Sequence, residues 1–162
     1  MSRDILAVLL FAFHEGASAK NHQGKLPLHY AVANISDAAL VGDVLDAFPQ
    51  ALREKEPRNA SLPLHYACAF KAPLPVVQLL CERYPEAAGQ PNGQGNLPLH
   101  LALLYETENE IVQYLIGLNP DAGMCNDDVS DWQNTVLLVH NFSGYFKTSF
   151  INFVPLIHSS VQ

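Results

Sequence analysis

The sequence predicts an all-α solenoid of stacked helical pairs, and three observations predict it. A six-residue block recurs: Leu26-Pro27-Leu28-His29-Tyr30-Ala31 returns as Leu62-Pro63-Leu64-His65-Tyr66-Ala67 and as Leu97-Pro98-Leu99-His100-Leu101-Ala102, first 36 and then 35 residues on. A second landmark keeps the same phase: Phe48-Pro49-Gln50-Ala51, Tyr84-Pro85-Glu86-Ala87 and Asn119-Pro120-Asp121-Ala122. Between the landmarks runs a stretch whose apolar residues fall at helical spacing. Self-similarity at a fixed period of about 20–50 residues marks a repeat array.

Each unit begins with a short helix. Proline at the second block position suits a first helical turn, where its missing N–H has no partner to lose. This helix ends near Asn34, Lys71 and Glu106. The second helix carries Leu40, Val41, Val44, Leu45 and Phe48 in one unit and Val76, Val77, Leu80, Cys81 and Tyr84 in the next. Ile111, Val112, Leu115 and Ile116 repeat the pattern. That is one apolar stripe of helical period. Pro49, Pro85 and Pro120 stop these helices, because the residue before a proline is pushed out of the α region. Turns follow, as in Asn92-Gly93-Gln94-Gly95-Asn96. One short pair cannot bury a stripe on both flanks; stacking equivalent pairs does. The units fall at 24–59, 60–94 and 95–130.

These residues resemble the ankyrin repeat family, whose pattern runs Asp, two residues, Gly, one residue, then T-P-L-H-x-A. Asn21 and Gly24, like Asn92 and Gly95, match the Asp and Gly positions loosely, whereas the middle unit has Pro57 and Ala60. Leu26, Leu62 and Leu97 stand where the family has a threonine that caps the helix and meets the histidine. The cap must therefore come from another group. The resemblance implies an ankyrin-type helical-pair solenoid that binds another protein. It also implies where contacts lie. The turn tips are His22, Gln23 and Lys25, then Arg58, Asn59 and Ser61, then Gly93, Gln94 and Asn96. The exposed helix ends carry Ala33 and Asn34, Ala69 and Phe70, Leu104 and Tyr105. Phe70 and Tyr105 are the expected anchors, since aromatics dominate protein interfaces.

The ends carry two readings each. Ile5, Leu6, Leu9, Leu10 and Phe13 sit 35 residues before the first second-helix stripe, so residues 1–23 read as a partial repeat with only its second helix. The competing reading is a secretory signal, with Arg3, an apolar run and Ala17-Ser18-Ala19 as cleavage site. Sequons at Asn34, Asn59 and Asn141 accord with secretion. The repeat register explains each apolar position and is preferred, and with it a cytoplasmic location. Residues 131–162, with Phe142, Tyr145, Phe146 and Phe150, read either as a degenerate capping repeat or as a disordered tail.

Composition and motifs exclude most chemistry. Of 162 residues, sixteen are acidic and nine are Lys or Arg, a net charge of −7 that repels nucleic-acid phosphate. The same charge points to a partner with a basic patch and to salt-sensitive association. No apolar run reaches the length of a membrane span. His29, His65 and His100 hold one slot in successive units. Stacked helices lie about 8–10 Å apart, too far for three ring nitrogens to share a zinc ion. Each imidazole is expected instead to bond inter-repeat backbone. Cys68 takes a position filled by Val32 and Leu103, and Cys81 one filled by Leu45 and Ile116, so both read as small core residues. Asp121, Asp127, Asp128 and Asp131 lack the glycine and glutamate of a calcium loop. No cofactor or catalytic constellation is predicted. The expected function is a non-catalytic adaptor, possible self-association through uncapped ends included. The alternatives are a fragment of a larger multidomain signalling or enzyme-accessory protein, or a secreted repeat protein.

Overall fold

The structure is a computed structural model and describes residues 14–119. They lie within one unit, Met1–Ala122. The expectations for residues 1–13, for the aspartate cluster and for residues 131–162 lie outside the described residues.

Six α-helices occur among the described residues, in three antiparallel pairs. They are α1 (Pro27–Asn34), α2 (Ala38–Ala47), α3 (Pro63–Ala69), α4 (Leu74–Arg83), α5 (Pro98–Leu104) and α6 (Asn109–Leu118). Pro27, Pro63 and Pro98 each hold the first helical position, and the leucine before each is extended. The second helices end at Ala47, Arg83 and Leu118, as the following prolines require. Pro49 and Pro85 then open single 3-10 turns, Pro49–Arg53 and Pro85–Gly89. His14–Ser18 is a third such turn at the same register.

Packing follows the repeat. α1, α3 and α5 lie side by side in one row and α2, α4 and α6 in a second. The core draws on both rows: Leu28, Leu64 and Leu99 from the first helices and Val41, Leu45, Val76, Val77, Leu80, Ile111, Val112 and Leu115 from the second are buried. Cys68 and Cys81 are buried there as free thiols. Burial pushes both thiols up, Cys81 to about 12 with Glu82 adding, so neither is a thiolate at neutral pH. Arg83 pairs with Asp46 and Lys20 with Glu54, each at 2.9 Å between successive units. Such exposed pairs contribute about 0–1 kcal/mol, so the apolar seam holds the stack.

Candidate interaction face

The missing threonine is replaced by the histidine itself. His29, His65 and His100 stand third in their helices, and each Nδ1 accepts the N–H of the leucine before the helix at 3.3, 3.1 and 3.1 Å. Leucine has no side-chain acceptor, so only this half of a capping box exists. An Nδ1 that accepts must carry its proton on Nε2. In His65 that N–H donates to the Asn96 carbonyl of the next unit at 3.0 Å. Thus His65 bonds inter-repeat backbone as expected. His29 does so only in part: its Nε2 is buried with no hydrogen-bond partner. The Ser61 carbonyl, which accepts the Glu56 N–H at 3.1 Å, lies near this ring as the Asn96 carbonyl lies near His65.

The tips are built on side-chain oxygens. Asn21 Oδ1 accepts the N–H groups of Gln23 and Lys25, and Asn92 Oδ1 those of Gln94 and Asn96, all at 2.9 Å. These are Asx turns. Gly24 and Gly95 supply the left-handed residue, at φ +73° and +82°. The middle turn has one residue more and uses Glu56 in place of asparagine. Its carboxylate is buried and accepts the N–H groups of Arg58 and Asn59 at 2.9 and 2.6 Å. Ala60, at φ +50°, occupies the glycine position.

Phe70 and Tyr105 are held by helix ends. Each is the last residue of its first helix to make helical hydrogen bonds, and Lys71 and Glu106 follow at φ +56° and +52°. The Ala72 N–H reaches back to Ala67 O and Lys71 N–H to Cys68 O, a Schellman motif; Thr107 and Glu106 repeat it on Ala102 and Leu103. This geometry turns both rings outward, where Phe70 is 58% and Tyr105 46% exposed. Leu104 is exposed beside Tyr105 at 53%.

Position four residues earlier shares the same helix face, and there stand Tyr30, Tyr66 and Leu101. Tyr66 stacks on Phe70 at 5.8 Å between ring centres and meets His29 edge-on at 5.2 Å. Lys25 Nζ lies 5.0 Å from the Tyr66 ring centre and 5.7 Å from that of Tyr30. A groove of about 250 Å³ runs along this face, lined on the helix side by Tyr66, Phe70, Leu101 and Tyr105 and on the tip side by Lys25, Arg58 and Gln94. Sequence reasoning missed Tyr30 and Tyr66; their spacing of four from Asn34 and Phe70 was the available signal.

The other expected contacts divide. His22, Gln23, Arg58, Asn59, Gln94 and Asn34 are exposed, while Lys25 and Asn96 are half-buried. Ser61 is the least exposed of them, at 6%, and lines the same groove. The charges at the groove are Lys25, Arg58 and one acid, Glu56, whose carboxylate accepts two backbone N–H groups. Asp37, Asp43, Asp46, Glu82 and Glu86 lie on or beside the second helices and do not line it.

Among the described residues no group of three His, Cys, Asp or Glu side chains could hold a metal ion, and no helix is long and apolar enough to cross a membrane. Curated proteins give no match to the chain. A family model described as ankyrin repeats, three copies, matches residues 35–126. With that match over more than half of the chain and three proline-started helical pairs stacked in register from Pro27 to Leu118, the chain belongs to the ankyrin repeat family.

Proposed function

We propose that the chain is a non-catalytic adaptor that binds another protein through the face made by its first helices and turn tips. Ankyrin repeats are generally protein–protein interaction modules. What supports the reading in this chain is one observation: Phe70 and Tyr105 are large, exposed and fixed at equivalent ends of neighbouring helices, beside a groove. Anchors held in place before association lose little entropy on binding. His22, Gln23, Lys25, Arg58, Asn59, Gln94, Asn96, Asn34 and Leu104 form the surrounding surface. Ser61 lines the groove with little exposed surface.

The test compares capture of partner proteins by the native chain and by Phe70→Ala/Tyr105→Ala, followed by direct titration of the captured protein. Loss of the two aromatic anchors is expected to weaken binding about tenfold or more. The melting temperature should barely change, because both side chains are exposed. Equal affinity of the native and double-variant chains for every captured protein would contradict the reading.

A further inference from the structure

The charge of the groove says what kind of segment fills it. Resting on the binding face proposed above, we propose that the groove takes an acidic peptide segment of the partner, its carboxylate set against Lys25 and Arg58 and a neighbouring apolar or aromatic side chain laid on Tyr66, Phe70 and Tyr105. The chain as a whole carries −7, yet this face is lined by two cations. Neither closes an ion pair among the described residues, whereas Lys20 and Arg83 are each paired across units.

The one acid in the lining, Glu56, attracts Lys25 and offsets one of the two charges, which leaves the groove net positive. It is 1% exposed and its oxygens accept the N–H groups of Arg58 and Asn59, so an incoming segment meets the two cations first. The role of Glu56 is to hold the middle tip. Lys25 is steered over the Tyr66 and Tyr30 rings, which hold its ammonium at the groove wall and leave the charge in place. A second concavity, lined by His22, Gln23 and Pro57, shares Lys25, Glu56 and Arg58 with the first. A chain crossing from one to the other passes both cations. Next to them begins the aromatic row, so acidic and apolar side chains must lie close together in the segment that fits. A basic segment would meet like charge at the same place.

The experiment selects random displayed peptides on the full-length chain at low salt and measures the winners by fluorescence anisotropy. Four proteins are compared: native, Lys25→Gln/Arg58→Gln, Lys25→Arg/Arg58→Lys and Phe70→Ala/Tyr105→Ala. The winners should be rich in Asp or Glu beside Phe, Tyr, Leu or Ile. Their affinity should fall about tenfold or more in the glutamine pair, survive in the charge-conserving pair and drop as salt rises. Winners that are neutral or basic and bind the glutamine pair as tightly would overturn the acidic occupant. If they still fail on Phe70→Ala/Tyr105→Ala, the binding face itself stands. Indifference to both pairs overturns the occupant and the face together. Failure to enrich any peptide overturns the occupant as a linear acidic segment.

Discussion

Histidine and glycine positions show how single residues set this repeat. Because His65 Nδ1 accepts the Leu62 N–H and Nε2–H donates to Asn96, protonation would put a donor against a donor. Burial first, with Lys55 adding, lowers its pKa from 6.5 to about 4, against the pull of the Asn96 carbonyl. Burial lowers His29 as well. Between pH 6.5 and about 4 the unfolded chain therefore holds a proton that folded His65 refuses. Stability is whole above 6.5 and falls through that window, by about 3 kcal/mol from His65. Urea midpoints should drop steeply from pH 7 to pH 4.5. His65→Gln keeps an acceptor for the helix start and should flatten the slope; an unchanged slope would refute the assignment. Left-handed positions give a second check. Ala60→Gly relieves strain at φ +50° and should stabilise by about 0.5–1 kcal/mol. Gly95→Ala, at φ +82° with open space around the new methyl, should cost about 1 kcal/mol. Chemical denaturation reads both, and equal signs for the two would contradict the turn assignment. The proline, leucine and histidine of the block were legible as a helix start. That histidine does the capping was not, because it depends on a ring nitrogen reaching backbone three residues earlier.

Helices and turns were the most legible level. The stripe Val76, Val77, Leu80 and Cys81 is buried as read, and proline termini fall where expected. The 3-10 turns after Pro49 and Pro85 were not foreseen, since proline forbids continuing an α-helix and says nothing about a tighter turn. Nor was the Schellman closure, because Lys71 and Glu106 take a conformation that usually advertises itself by glycine. Energetically the elements depend on their neighbours. Leu64 of α3 is 2% exposed in the middle unit. Leu64→Ala should cost about 2–5 kcal/mol. The loss should appear in one cooperative urea transition monitored by circular dichroism. A variant with an unshifted midpoint would mean that α3 does not carry the seam.

At the scale of the whole molecule the net charge does not describe the groove, since it averages over faces that the fold separates. Acids gather on the second-helix side, while Lys25 and Arg58 line the groove. Composition carries no such geometry; only the stacking of units decides which residues share a face. The positions of Phe70 and Tyr105 were legible because they recur at one repeat slot, whereas the middle turn, one residue longer and built on Glu56, was not. The most direct measurement is amide hydrogen exchange along the chain, free and with a captured partner bound. Exchange should slow at residues 22–25, 57–61 and 92–96 and around Phe70 and Tyr105, with Ala38–Ala47 and Leu74–Arg83 unchanged. Slowing confined to those second helices, with the tips untouched, would contradict the account.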